Sequence, residues 1–181
     1  MKIKDIFAEK EAVFSLEIFP PKYDMPIETI YKVLDEFKEI EPDYMSVTYG
    51  AGGGVNNNRT CEISSLLKEK YGVEPLAHLT CINSTRKNID DILKRLKANK
   101  IENILALRGD KPLDGSQTGD YNYAYQLVDY VNNSGDFGVA AASYPEGHLE
   151  TEDLSEDIEY LKHKVDYGVD YLITQMFFDN Q

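Results

Sequence analysis

Tryptophan is absent from this 181-residue chain, and cysteine and histidine are scarce, at two and three residues. Two cysteines, Cys61 and Cys81, make no disulfide framework of the kind that staples small secreted domains. The same scarcity argues against a metal. His78 and Cys81 lie three apart on one β-type run and so point to opposite faces, and no other His/Cys pair has ligand spacing. No apolar run approaches the roughly 18–20 residues of a membrane span. The opening Met1-Lys2-Ile3-Lys4-Asp5-Ile6 turns charged too early for a secretion signal. Basic residues are outnumbered, 19 against 32, so the formal charge is 19 − 32 = −13. That argues against a general nucleic-acid binder, whose footprint would be a basic face, and against adhesion to an anionic membrane. An anionic ligand would need a local basic site working against the field of the whole chain. No low-complexity or Pro/Ser-rich linker divides the sequence. It reads as one soluble, cytoplasmic domain over 1–181, long enough to bury a real core.

What is present is alternation. Six β-type runs begin at Phe14, Met45, Leu76, Ile104, Val139 and Leu172, so their starts lie 31, 31, 28, 35 and 33 residues apart. Between them run helical periods. Ile27, Ile30, Leu34 and Phe37 follow Pro26, which is placed to open a helix. Ile89, Ile92, Leu93 and Leu96 follow Ser84, a candidate N-cap. Leu154, Ile158, Leu161 and Val165 precede Gly168, which can close the helix. Strand–helix alternation at this period predicts βαβ units and a parallel sheet, an α/β fold.

An open doubly wound sheet and a β/α barrel compete. Side chains alternate between faces along a strand. Phe14, Leu16 and Ile18 oppose Ser15 and Glu17; Met45 and Val47 oppose Ser46 and Thr48; Ala77 and Leu79 oppose His78 and Thr80. Leu105 and Leu107 oppose Ala106, Arg108 and Asp110, and Leu172 and Met176 oppose Ile173 and Gln175. One face is apolar, as a surface under helices must be, and the other carries polar groups near most strand ends. A barrel gathers such groups at one mouth, whereas an open sheet uses one switch point. The prediction is a (β/α)8 TIM barrel. Such a barrel takes about 250 residues, or roughly 31 per unit. The chain therefore covers about strands 1–6 and lacks two strands and three helices. Met1 reads as a native start, which puts the shortfall at the C-terminus.

Several residues have the chemistry of a site. Glu17 is a strand-borne carboxylate on the interior face. Desolvation there should raise its pKa and suit it to general acid work, although an interior carboxylate paired with Lys22, Arg108 or His78 is the blander reading. Arg108-Gly109-Asp110 ends strand four: Gly109 could let the backbone approach a ligand and Arg108 offers a fork for an anion, or the pair is a rim ion pair. Gly50-Ala51-Gly52-Gly53-Gly54 follows strand two but is neither a dinucleotide fingerprint nor a P-loop, so it reads as a loop. Tyr144-Pro145-Glu146-Gly147-His148 ends strand five, with Tyr144 able to pack on a flat ring and His148 to hydrogen-bond. Most of the thirteen tyrosines are expected at helix–sheet boundaries.

Taken together, Ser15-Leu16-Glu17-Ile18-Phe19-Pro20-Pro21-Lys22, Ser46-Val47-Thr48-Tyr49-Gly50-Ala51, His78-Leu79-Thr80-Cys81, Ala106-Leu107-Arg108-Gly109-Asp110, Tyr144-Pro145-Glu146-Gly147-His148 and Thr174-Gln175-Met176-Phe177-Phe178-Asp179 resemble 5,10-methylenetetrahydrofolate reductase, over about the first two-thirds of the catalytic barrel. The resemblance implies a cytoplasmic FAD flavoprotein of one-carbon metabolism and methionine biosynthesis that reduces methylenetetrahydrofolate with NAD(P)H in a ping-pong reaction, and that self-associates when complete. It implies catalytic roles for Glu17 (general acid), Asp110 and Gln175, with Glu17, Thr48, Asp110 and Gln175 binding substrate. It implies FAD contacts from Thr48, Tyr49, Ala51, His78, Arg108, Gly109, Asp110, Tyr123, Ala124, Tyr144, His148, Asp157 and Lys164, with Lys164 offsetting the diphosphate. Tyr160 and His163 stand where the family often has Asn and Arg, Leu149 where it often has Pro, and Met176 where it often has Phe. Two rivals are a non-catalytic piece that needs a missing segment or partner chain, and a barrel of other chemistry such as a pterin-dependent methyltransferase.

Overall fold

The computed structural model describes residues 1–22, 24–49, 58–111, 119–151 and 153–179. Among these described residues are six strands: β1 (Ser15–Ile18), β2 (Tyr44–Val47), β3 (Glu74–Thr80), β4 (Asn103–Leu107), β5 (Gly138–Ser143) and β6 (Tyr171–Thr174). All neighbours pair in parallel, in the order β1-β2-β3-β4-β5-β6. A doubly wound sheet reverses its order at a switch point; this one never does. Sequential winding in one direction is the β/α barrel pattern, and the fold is part of such a barrel. β1 and β6 are its two edges.

The helices are α1 (Ile3–Glu9), α2 (Thr29–Phe37), α3 (Asn58–Leu66), α4 (Arg86–Ala98), α5 (Ala124–Ser134) and α6 (Leu154–Asp166), with α3 running on into a π-helical turn at Leu67–Tyr71. The cap of α4 is Thr85, not Ser84. Thr85 accepts the Asn88 N–H at 3.2 Å and its own N–H returns to Asn88 Oδ1 at 3.3 Å, a capping box that Ser84 is one residue too early to make. Pro26 opens a turn, and regular helix begins three residues later at Thr29. Gly168 takes φ +93° just past α6 and closes it as expected.

Two apolar layers lie under the helices. Ile18, Met45 and Val47 pack with Ile30, Leu34, Ile63 and Leu67, while Ala77, Leu79, Ile104 and Ala106 pack with α4 and α5 through Ile89, Leu93, Leu127 and Val131. The barrel interior is plugged from below by α1. Ile3 and Ile6 meet Tyr44, Leu76, Leu105 and Ala140, with Leu107, Tyr171 and Ile173 beside them. Asn103, fully buried, pins the plug: its Oδ1 accepts the Ile3 N–H at 2.8 Å and its Nδ2 donates to Met1 O at 3.0 Å.

Strand four corrects the expected parity. Leu105 and Leu107 face the interior against α1, and Ile104 and Ala106 face the helices. The pairing His78↔Leu105 and Leu79↔Ala106 fixes this, because partners in register share a face. Both sides of β4 are buried, so its run of apolar residues carries no alternation to read.

Candidate active site

In a barrel the strand C-termini open on the functional mouth. Two groups of polar side chains gather there. The first lies inside, across three adjacent strands. Glu17 on β1 pairs in register with Ser46 on β2, whose hydroxyl donates to Glu17 Oε2 at 3.2 Å. His78 on β3 brings Nε2 to 3.5 Å from the same oxygen. That separation suggests an ion pair, but burial pushes the imidazole pKa down from 6.5 to about 4, so the ring is neutral near pH 7. His78 is 8% exposed, and its Nε2 makes no hydrogen bond among the described residues. An orphaned ring nitrogen beside a carboxylate is a place where a ligand or a shared proton would complete the bonding. Glu17 departs from expectation: its side chain is 49% exposed, so the desolvation invoked for it is largely missing.

The second group lines a cavity of about 520 Å³ between the ends of β4 and β5 and the helices α5 and α6. β4 contributes Arg108, and the residues after it Lys111; α5 and its cap contribute Tyr123, Ala124 and Tyr125; the segment after β5 contributes Tyr144, His148 and Glu150; α6 contributes Glu156, Asp157, Tyr160 and Lys164. The Tyr144-Pro145-Glu146-Gly147 turn, closed by the Gly147 N–H on Tyr144 O at 3.0 Å, folds this segment back over the strand ends. Tyr144 and His148 meet edge to face at 4.7 Å, and Asp157 accepts the His148 N–H at 3.1 Å. Lys164 reaches under the sheet end, donating to Ala142 O at 3.0 Å, and burial lowers its pKa. Arg108 is bound to Glu150 through both terminal nitrogens, at 2.9 and 2.6 Å.

Seven of the residues expected to hold a cofactor line this one cavity: Arg108, Tyr123, Ala124, Tyr144, His148, Asp157 and Lys164. His78 belongs to the interior group. Thr48 and Tyr49 follow β2, where Thr48 donates its N–H to Ile18 O at 3.0 Å. Gly109 has φ +85°, and a Cβ there would come within 3.0 Å of Thr80 Cβ, so the close approach it permits is to a neighbouring strand. Asp110 is exposed just beyond β4, and Gln175, also exposed, follows β6 with its N–H on Ser143 O at 2.7 Å. Glu17, Asp110 and Gln175 thus sit past or near the ends of the first, fourth and sixth strands of one parallel sheet. Ala51 and the glycine run around it lie outside the described residues, as does Tyr23. Among the described residues no group of His, Cys, Asp or Glu could hold a metal ion.

Sequence reasoning missed Glu150, an acid among 32 with no motif to mark it. It also missed a row of rings. Tyr160 stacks on Tyr123 (6.2 Å, 15°), Tyr123 on Tyr125 (5.7 Å, 13°) and Tyr125 on Tyr167 (5.4 Å, 19°). These tyrosines join α5 to α6 rather than helix to sheet, and Tyr160 and Tyr123 present their rings to the cavity.

A family model described as methylenetetrahydrofolate reductase matches residues 2–181. The chain belongs to the methylenetetrahydrofolate reductase family. It is 39% identical to the 5,10-methylenetetrahydrofolate reductase of Escherichia coli over 165 residues, covering 91% of this chain and 55% of that protein. It is 37% identical to a probable methylenetetrahydrofolate reductase (NADH) of Oryza sativa subsp. japonica over 193 residues, covering 98% of this chain and 32% of that protein. The chain thus spans about half the length of the bacterial reductases and about a third of the plant ones. Among solved structures, the phosphoenolpyruvate phosphomutase of Streptomyces platensis subsp. rosaceus superposes with a TM-score of 0.63 at 14% identity, covering 95% of this chain and 62% of that one. A Clostridium thermocellum protein that binds two copies of 5-methyl-5,6,7,8-tetrahydrofolic acid superposes with a TM-score of 0.57 at 13% identity, covering 99% of this chain and 59% of that one. At such identities these two speak for the fold alone. Family members are oxidoreductases of folate metabolism, and no helix among the described residues is long and apolar enough to cross a membrane.

Proposed function

We propose that the whole protein reduces 5,10-methylenetetrahydrofolate to 5-methyltetrahydrofolate with NAD(P)H as donor and FAD as cofactor. The observation that carries the reading is the convergence of seven expected cofactor residues on one cavity at the strand ends of β4 and β5. The donor set suits the group. Arg108, Lys111 and Lys164 supply charge for a diphosphate, Asp157 can accept from ribose hydroxyls, and flat tyrosine rings suit a planar base. His78, with its orphaned Nε2 on the interior side, supplies a further polar contact at the barrel mouth. FAD, when bound, supplies a hydride carrier that serves donor and acceptor in turn.

The remaining work falls to the chain. Glu17 donates a proton to the folate nitrogen that leaves the bridging carbon, which opens the five-membered ring to an iminium ready to accept hydride. Ser46 holds that carboxyl in place by donating to Oε2, with the neutral His78 ring beside the same oxygen. Asp110 hydrogen-bonds the pterin, Gln175 contacts folate and nicotinamide alternately, and Thr48 lies by the nicotinamide. The test is direct: pure full-length protein should carry or rebind flavin, show its visible absorbance, and bleach on addition of NAD(P)H under argon. Protein that neither retains nor rebinds flavin ends this reading.

A second reading has its own support. None of the α6 residues is buried, and Leu154, Ile158 and Val165 on it are exposed, and from this we infer as the second reading a helix that a further segment or partner chain covers before the site is active. Flavin absorbance of this chain with and without the remaining segment separates the two.

A further inference from the structure

Arg108 is the strongest anion receptor on the cavity wall, and the protein already fills it. Nη1 donates to Glu150 Oε2 at 2.9 Å and Nη2 to Oε1 at 2.6 Å, while Lys111 Nζ donates to the same Oε2 at 2.6 Å. This is the fork-to-fork geometry in which arginine takes either a carboxylate or a phosphate. Glu150 hangs on a slender support. Leu149 beside it is fully exposed, Gly147 turns at φ +87°, the Glu150 N–H rests on His148 Nδ1 at 3.2 Å, and the Glu150 side chain is 41% exposed. Arg108 is held on the cavity wall at 18% exposure while Glu150 is open to water, so the carboxylate is the partner free to swing out.

The charge balance gives the contact a consequence. The wall carries Arg108, Lys111 and Lys164 against Glu150, Glu156 and Asp157, three charges of each sign. With Glu150 swung out the count is three to two. In a chain of net charge −13, only that opened state gives the cavity a local pull on an anion.

We propose that Glu150 is an intramolecular stand-in for the anionic group of the ligand: a phosphate- or diphosphate-bearing ligand enters by displacing it from Arg108 and Lys111, and Glu150 thereby sets the affinity and charge selectivity of the cavity. The proposal rests on the flavin reading only for the identity of the ligand, since any phosphorylated group of the right reach performs the exchange. A neutral ligand with the same ring cannot displace Glu150 and gains nothing from its removal.

The experiment uses full-length protein stripped of cofactor, titrated calorimetrically with inorganic pyrophosphate, ADP, adenosine and FAD, as wild type, Glu150→Gln and Glu150→Asp. Glu150→Gln should bind pyrophosphate and ADP about tenfold more tightly, the scale of one competing charge-assisted contact. Adenosine binding should stay unchanged. Glu150→Asp keeps the charge but is one methylene short of spanning both cations, so it should fall between. Equal or weaker binding of pyrophosphate and ADP by Glu150→Gln overturns the proposal, as does no binding of either by any of the three proteins. FAD reports separately. Tighter pyrophosphate with no FAD uptake keeps the exchange and removes the flavin reading; equal FAD and equal pyrophosphate affinity in all three keeps the flavin reading and removes the exchange.

Discussion

Burial of His78 makes stability depend on pH in a defined window. The unfolded chain takes up this proton near pH 6.5, and the folded chain only near 4. Above pH 6.5 both states are neutral and the residue contributes no slope. Between the two values the unfolded state holds more proton, so stability falls as pH drops and the loss is complete below about 4. At roughly 1.4 kcal/mol per pH unit the full window amounts to about 3 kcal/mol, a large share of the ~5–15 kcal/mol that holds a domain together. The assay is urea unfolding at steps from pH 7.5 to 4 for the wild type and for His78→Gln, which is neutral throughout. Taking the difference removes the common effect of neutralising the acidic surface. The wild type should lose about 3 kcal/mol more than the variant over this range, with most of the divergence below pH 6. Glu150, held down to about 2 by Arg108 and then Lys111, begins to lose its contribution as the pH falls to 4.5, where the unfolded carboxyl takes up its proton, and because both proteins carry Glu150 the difference between them removes that loss. Parallel curves for the two proteins would refute the burial argument.

Two further outcomes follow from other sites. Asn103→Leu keeps the volume but strands the Ile3 N–H and Met1 O in the interior. Three lost bonds, the third from Nδ2 to Glu74 Oε1 at 3.3 Å, and an unpaired donor come to about 2–4 kcal/mol, or roughly 5–15 °C in Tm, with early loss of amide-exchange protection in α1; a change below about 1 kcal/mol would show that water reaches these groups. Glu17→Gln should abolish folate reduction while sparing NAD(P)H-to-flavin transfer in single-turnover measurements, and equal loss of both half-reactions would take the proton-donor role away from Glu17.

The strands were legible because their spacing is regular and their short apolar runs alternate with helical periods. The barrel was legible because polar residues such as Glu17, Ser46 and His78 recur at strand ends. Where the sequence was silent, the physical reasons differ. α1 has seven residues, too few for a helical period to emerge, yet it supplies the plug through Ile3 and Ile6. α3 has weak amphipathicity, with Ser64 as well as Ile63 buried. In α5 the residues Leu127, Val128 and Val131 carry the signal, but tyrosines and asparagines around them obscure it. β4 misled because both of its faces are apolar. At the site, the residue types of the cavity were identified, but their partners were not: Glu150 on Arg108 joins residues 42 apart, and no local pattern reports such a pairing. The exposure of Glu17 was missed for a related reason, since burial at a strand end is decided by what covers it from elsewhere.

Among the described residues β1 and β6 each pair on one side only, and a margin of that kind is a ready template for further strands. Phe14 and Phe19 flank one margin, Met176 and Phe178 follow the other, and all four are exposed. Two open margins edged with apolar side chains favour edge-to-edge association of this polypeptide handled by itself, so its light scattering should rise with concentration. Spectra or turnover recorded on clumped material would describe adhesion between molecules, so the cavity is best studied with whatever seals those two margins in place.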